Sequence, residues 1–383
     1  MNKIKIAVII TKLELGGAQK VAISICEKLD KTKFETVLIC GCGGILDEET
    51  KNKIRVIFVK ELIREINPIK DLKALYLICK ILKQEKPDII HTHSSKAGIV
   101  GRLAAKMCGI KNIVHTIHGF SFNNTQKFLK KNLFISLEKL GAKISKYLIP
   151  VSTENITKGL NNHIGKREQY KYIRLGVDID NFKSFNGIPS LKKELNIDKN
   201  DILVTTIGPF KPQKNLPDFI KIAKDISEKR KQFKFVMVGD GTLRPQFEKL
   251  IKEYNISNNI FLIGWIRDIS NILNSSDIFV MTSLWEGLPI STIEAMCCGL
   301  SPIVNDVDGQ REIIKNEING FLIKPYDIKS CEEKIILLTN DKKLREQMSL
   351  NAKNSIDYTF SIDYMIKQHE DLYLSLQSSS VNK

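Results

Sequence analysis

The stretch Ser275–Gly299, SSDIFVMTSLWEGLPISTIEAMCCG, decides how the rest of this chain is read. Its apolar run Ile278–Met281 has the length of a buried strand. A loop holding Gly287 and Pro289 follows, then an apolar helical segment opened by the proline. Strand, loop and helix in that order form the repeating unit of a parallel α/β sheet. Two carboxylates stand at the turn, Glu286 in the loop and Glu294 in the second helical turn. Ionised carboxylates there accept hydrogen bonds from paired hydroxyls, as sugars and riboses offer them. Acids favoured at a helix start by its dipole are the plainer alternative.

The same alternation extends in both directions. Apolar runs occur at Ile4–Ile10, Thr36–Cys40, Val56–Val59, Ile89–Thr92, Ile113–Thr116 and Tyr147–Val151. They recur at Ile202–Ile207, Phe235–Val238, Ile260–Ile263, Ile278–Met281, Pro302–Val304 and Phe321–Ile323. Most gaps carry three-to-four-residue apolar spacing, as at Ile69–Lys86 and Leu216–Arg230. The pattern predicts two doubly wound parallel-sheet domains facing one another across a cleft, over residues 1–180 and 181–360. The polar stretch Gly176–Asn200 is the expected linker. A last helix with a Ser-rich tail, residues 361–383, closes the second domain or crosses back to the first; periodicity admits both.

At 383 residues, 43% apolar and 27% charged, the chain has the composition of a globular protein of two domains rather than a disordered one. No stretch approaches the roughly 18 apolar residues that span a bilayer. The opening MNKIKIAVIITKLELGG reads as a first strand, not a secretory signal, and implies a cytoplasmic protein. Eight cysteines without a C-x-x-C pair suit a reducing compartment. Charge is divided unevenly. Residues 1–195 hold 35 Lys and Arg against 18 Asp and Glu, while the remaining residues hold 24 against 25. The first half therefore calls for an anionic partner: nucleic acid, anionic lipid or a phosphorylated acceptor.

Further motifs sit at predicted strand ends, where open α/β sheets bind ligands. Gly16-Gly17 opens a helix and lets backbone N–H groups approach an anion, or is an ordinary turn. His91, His93, His115 and His118 lie in IIHTHSSKAG and IVHTIHGFSF. A metal site is one reading, but no Asp or Glu accompanies them; the favoured one is His118 as a hydrogen-bond donor to substrate, with the others structural. Ser94, Ser95 and Lys96 open a helix in a manner suited to an anionic group. In GPFKPQKN, Gly208–Asn215, Lys211 and Lys214 stand on a Pro-stiffened loop before a helix, an arrangement that neutralises a diphosphate.

These residues give the chain a specific resemblance. It resembles glycosyltransferase family 4, retaining enzymes of the GT-B fold with two facing Rossmann-like domains. The matching segments are VGDG at Val238–Gly241, FLIGW at Phe261–Trp265, the Ser275–Gly299 stretch, NGFLIKPYD at Asn319–Asp327, and VSTENITKGL…RLGVDIDNF within Val151–Phe182. His91–Phe122 is similar to bacterial capsule, lipopolysaccharide and exopolysaccharide members. The resemblance implies a nucleotide-sugar donor, a UDP-sugar by prevalence, and a hexose or N-acetylhexosamine transferred to a lipid-linked or surface-glycan acceptor. It implies that Glu286, with Gly287 and Leu288, holds the donor sugar and Glu294 the ribose. Lys214, with Gly208 and with Gly16-Gly17 from the first domain, would meet the diphosphate, and His118 would sit near the donor sugar. No metal and no cofactor is implied. The family usually carries Arg where Pro209 stands here, and Lys211 is the proposed substitute. With no carboxylate nucleophile evident, same-face departure and attack is the expected route to retention.

Residues 127–147, KFLKKNLFISLEKLGAKISKY, form a predicted amphipathic helix with six lysines and the single acid Glu138. Leu129, Leu133, Leu137, Leu140, Ile144 and Tyr147 make one stripe, expected to pack on the domain. Phe128 and Ile135 project among the lysines, and Lys130, Lys131, Lys139 and Lys143 are expected to meet an anionic membrane surface on the inner face of the cell membrane. A nucleotide-sugar epimerase, a phosphorylase or a non-catalytic scaffold on the same fold are the competing readings. A nucleic-acid-binding module is disfavoured, because the excess is Lys rather than Arg and aromatics are only 7%. No motif specifies the oligomeric state.

Overall fold

The computed structural model describes residues 3–123, 126–184, 187 and 189–381. The chain divides into two compact units, unit 1 being Met1–Gly176 with Ile362–Lys383 and unit 2 being Val177–Ser361.

Unit 1 holds strands β1 Ile4–Ile10, β2 Phe34–Cys40, β3 Val56–Phe58, β4 Ile89–His93, β5 Asn112–Ile117 and β6 Tyr147–Pro150. Unit 2 holds β7 Ile202–Ile207, β8 Phe233–Val238, β9 Ile260–Gly264, β10 Ile278–Met281, β11 Pro302–Asn305 and β12 Phe321–Ile323. Each apolar run of the sequence marks one of these strands. The orders are β3-β2-β1-β4-β5-β6 and β12-β11-β10-β7-β8-β9, with every neighbouring pair parallel. Read from its other edge, the second sheet repeats the order of the first. Strand order therefore reverses between β1 and β4, and again between β7 and β10, where the flanking loops diverge and leave a crevice.

In unit 1, helices α1 Gly17–Lys28, α2 Pro68–Glu85, α3 Ser95–Met107 and α4 Phe128–Ile144 connect the strands. The start of α2 is set locally: Pro68 takes the first helical position, and the Asn67 side chain accepts a hydrogen bond from Lys70 N at 3.1 Å. Helices α2, α3 and α4 lie side by side in that order. Ala74, Ile78 and Leu82 of α2, with Ala97, Ala104 and Ala105 of α3, pack against Ala7, Ile9, Ile39 and Ile90 of the sheet. In unit 2, α5 Leu216–Lys229 and α6 Ile290–Cys297 follow β7 and β10. The last helix, α7 Ile362–Val381, belongs to unit 1 and packs on α1. Its Tyr373 is fully buried and bonds His91 Nδ1 at 2.6 Å. Residues 382 and 383 of the Ser-rich tail lie outside the described residues.

The expected linker at 176–200 carries short helices at Ile179–Lys183 and Leu191–Glu194 and a bridge from Val177 to Ser361. Residues 185, 186 and 188 of it lie outside the described residues. The apolar stripe of α4 packs on its unit only in part, with Leu137 and Ile144 half-buried. Leu129 is 82% exposed, Leu133 52% and Leu140 44%, while Glu138, Gly141 and Ala142 are buried and Phe134 and Ile135 are partly buried against the core. The cause is Arg102 of α3, which has no exposed surface and donates to Glu138 Oε2 at 3.0 Å. A buried guanidinium needs its carboxylate partner, so α4 turns Glu138 inward and Leu129, Leu133 and Leu140 outward. Gly141 completes the fit, because a Cβ there would lie 2.3 Å from the Arg102 guanidinium carbon. Among the described residues, no helix is long and apolar enough to cross a membrane.

Candidate active site

The sequence-marked residues of unit 2 gather where β7 and β10 part. After β7 the chain makes the short turn Pro212–Lys214, and Asn215 in a left-handed conformation starts α5. After β10 it runs through Ser283–Pro289 into α6. Leu284 N donates to Gln213 O at 2.8 Å, and Thr282 Oγ1 donates to Lys214 O at 2.9 Å. These bonds hold the two loops edge to edge. Lys214 and Glu286 consequently meet, with Nζ 2.6 Å from Oε1 and only 9% and 8% of the residues exposed. Gln213 Nε2 donates to Trp285 O at 2.7 Å and fixes the backbone just before Glu286. Gly208 gives Lys214 its path, since a Cβ there would lie 2.7 Å from Lys214 Cε. Lys211 is half-buried at the head of the same turn, two residues beyond Pro209.

Sequence reasoning missed the residues that brace this arrangement from β11. Asp308 Oδ2 accepts from Glu286 N at 2.8 Å. Gly309 lies so close that a Cβ on it would stand 2.0 Å from Gly287 O. The Asp308-Gly309 dipeptide was the signal available, because D-G marks a tight turn. Asn305 donates to the carbonyls of Thr282 and Ser283 at 2.8 and 3.2 Å, which pins the end of β10. The α6 N-terminus has Pro289 as its cap residue and no side-chain capping bond. Its leading N–H groups are thus free of any side-chain cap in a loop already holding a buried cation and carboxylate. Leu288 and Glu294 are buried, Glu294 one helical turn further in, and the Ser283 hydroxyl is buried without a hydrogen-bond partner among the described residues. A buried ammonium beside helix N–H groups suits a phosphate, and the adjoining carboxylate suits hydroxyls.

In unit 1, the equivalent parting lies between β1 and β4. Gly16 is the cap residue of α1 and also has no side-chain capping bond, and Gly17 is its first helical residue. Ser94, at φ +60°, caps α3, and its Oγ lies 2.7 Å from Thr11 Oγ1 across the parting. The expectation that Ser94, Ser95 and Lys96 serve an anion is not what their side chains do. Ser95 bonds Ser121, and Lys96 Nζ pairs with Asp71 Oδ1 at 2.6 Å.

The histidines form one stack. Ring centroids are 5.5 Å apart for His369 and His91, 4.2 Å for His91 and His93, and 5.3 Å for His93 and His118. Burial holds all four neutral, with His118 lowered to about 3 and His369 to about 4. His115 stands apart, bonded to Thr92 Oγ1 at 2.9 Å. Among the described residues, no group of three His, Cys, Asp or Glu side chains is placed to hold a metal ion. His93 Nδ1 and His118 Nε2 share one hydrogen bond at 3.0 Å. Their outer nitrogens, His93 Nε2 and His118 Nδ1, are buried without partners among the described residues. Two neutral rings sharing one bond leave one outer nitrogen as an N–H and the other as a lone pair. His118, at the carboxyl end of β5, therefore keeps one unused polar atom for a ligand.

Comparison with known proteins gives a consistent picture. Residues 15–181 match the family described as Glycosyltransferase Family 4, and residues 187–355 match Glycosyl transferases group 1. An Escherichia coli UDP-Gal:alpha-D-GlcNAc-diphosphoundecaprenol alpha-1,3-galactosyltransferase is 37% identical over 98% of both chains. A Campylobacter jejuni N,N'-diacetylbacillosaminyl-diphospho-undecaprenol alpha-1,3-N-acetylgalactosaminyltransferase is 32% identical over 82% of this chain and 86% of its own. Anabaena HepE, solved with UDP and glucose, superposes with a TM-score of 0.84 at 19% identity, over 97% of this chain and 100% of its own.

Proposed function

This chain belongs to glycosyltransferase family 4, and we propose that it moves a galacto-configured hexose or N-acetylhexosamine from a UDP-sugar to a sugar carried on undecaprenyl diphosphate, with retention. The observation that carries this reading is the agreement of the two relatives. Both form alpha-1,3 bonds on diphosphoundecaprenol-linked sugars, and one matches this chain along nearly its whole length. UDP-Gal is itself alpha-linked, so an alpha product made from it is a retained one.

The chain's residues divide the work as follows. Lys214, with Lys211, neutralises the departing diphosphate, and the uncapped start of α6 adds backbone N–H groups. Glu286, Gly287 and Leu288 hold the transferred sugar, and Glu294 holds the ribose. From unit 1, His118 binds the substrate sugar, and the N–H groups at Gly16-Gly17 meet phosphate charge. The leaving diphosphate accepts the proton of the incoming hydroxyl, so no protein nucleophile is required. On this reading the enzyme works at the cytoplasmic face of the membrane, where Lys130, Lys131, Lys139 and Lys143 of α4 meet anionic headgroups. The outward leucines of α4 supply the apolar contact.

The test uses purified protein, a panel of UDP-, GDP- and CMP-sugars, and undecaprenyl-diphosphate-linked GlcNAc. Transfer from one UDP-sugar is expected, with an alpha linkage by NMR. Glu294→Ala should weaken UDP binding about tenfold to a hundredfold by calorimetry, the loss of a charge-assisted hydrogen bond. Undiminished UDP binding would remove Glu294 from the donor site. Turnover of the donor without acceptor would favour an epimerase.

A further inference from the structure

Helix α2 reads in sequence as an ordinary cover for the sheet, yet its outward face is strongly apolar. Ile69 is 70% exposed, Leu72 68% and Tyr76 71%, and Ile66 just before the helix is 66% exposed. The three helical positions fall at three-to-four-residue spacing and share one face. Lys70, Lys73, Lys80 and Lys83 are exposed beside them.

The acids within these helices are all used internally. In α2, Asp71 pairs with Lys96 at 2.6 Å, and Glu85 pairs with Lys5 at 2.9 Å and Arg55 at 2.6 Å. Helix α3 contains no acid, and Glu138, the one acid of α4, pairs with buried Arg102. What α2 and α4 turn outward is therefore mainly apolar side chains and lysines. Both helices follow strands of one parallel sheet and flank α3, so they run the same way and start at the same edge of the layer. Their most exposed apolar residues lie at those starts, Ile66–Tyr76 and Phe128–Leu133.

We propose that the first half of α2, with Ile66, is a second membrane-contact surface that seats unit 1 on an anionic bilayer together with α4. The proposal rests on the lipid-linked acceptor reading but adds a footing that α4 does not supply. A second copy of the chain fits this face poorly, because a two-fold contact would bring Lys70, Lys73, Lys80 and Lys83 together against the single exposed acid Glu65 beside Ile66. Aliphatic side chains ringed by lysines match instead the headgroup boundary of a bilayer containing phosphatidylglycerol.

The experiment is flotation of the full chain with phosphatidylethanolamine–phosphatidylglycerol vesicles, and with phosphatidylcholine vesicles as control. One variant combines Ile69→Ser, Leu72→Ser and Tyr76→Ser; another combines Lys130→Glu, Lys131→Glu, Lys139→Glu and Lys143→Glu. Each should lower binding to the anionic vesicles about tenfold or more, and both together should abolish it. Transfer to a short-chain, water-soluble acceptor should stay at the parent level in the α2 variant, which shows that it folds. If that variant floats like the parent while the α4 variant does not, the α2 footing is wrong and the α4 surface stands. If neither variant differs, or the parent does not float, both fall. A change in sedimentation velocity without loss of flotation would make α2 a subunit interface and overturn the proposal.

Discussion

Removing the carboxylate of Glu286 should separate stability from catalysis in a way that tests the site's construction. In Glu286→Ala, the Lys214 ammonium loses its partner at 2.6 Å and is left, among the described residues, with Met281 Sδ at 3.9 Å. Breaking a buried pair by deleting one member costs about 3–5 kcal/mol. For a unit of this size, 1 kcal/mol moves the midpoint about 2–4 °C, so the unit 2 transition should fall by on the order of 10 °C. Combining Glu286→Ala with Lys214→Met removes the stranded charge and should recover most of that loss, since two well-packed apolar groups in place of a buried pair are often neutral. Transfer activity, by contrast, should be lost in Glu286→Ala, in Lys214→Met alone and in the double variant. Differential scanning calorimetry and a transfer assay on the same preparations read the two quantities. A double variant whose destabilisation equals the sum of the singles would refute the coupling, and an active double variant would refute the catalytic role.

Other expectations follow from the same geometry. Gly309→Ala places a methyl group on the Gly287 carbonyl, so it should cost about 1–3 kcal/mol and weaken UDP binding, read by calorimetry; an unchanged variant would mean the Asp308 brace is dispensable. Tyr373→Phe leaves a buried ring nitrogen of His91 without its partner and should destabilise unit 1 by about 1–3 kcal/mol in a denaturant titration. The stacked histidines fix the sign of the acid response. Burial holds their folded pKa values below the usual 6.5, at about 3 for His118 and about 4 for His369. As pH falls through about 6.5 the unfolded chain takes up protons that the folded one does not. Unit 1 should therefore lose about 1.4 kcal/mol per imidazole for each pH unit below that, and be stable above it. A unit 1 midpoint that stays constant from about pH 7 to pH 5 would contradict the stack.

The strands were legible because both sheets are parallel and covered on both faces, which makes each strand a continuous apolar run. The residue types of the candidate site were legible too, since Glu286, Glu294, Lys211 and Lys214 stand beside turn residues at strand ends. Their pairing was not, because Lys214 and Glu286 meet across a switch in strand order that no local spacing records. Asp308 escaped for the same reason. The orientation of α4 was misread because counting leucines cannot reveal that Arg102, on another helix, is buried and demands Glu138. Nor could periodicity assign α7, whose place depends on Tyr373 reaching His91.

That last contact bears on how the protein is made. Residues up to Gly176 leave the ribosome first, yet their sheet is roofed on the α1 side by α7, which is translated after the whole of unit 2. Until then His91 lacks Tyr373 and the imidazole stack lacks His369. The usual N-terminal-first order of domain completion is inverted: the middle of the chain can finish folding while the beginning waits for the end. A stalled or truncated product lacking α7 would thus present an unfinished first half beside a finished second one, with the α1 side of its sheet uncovered.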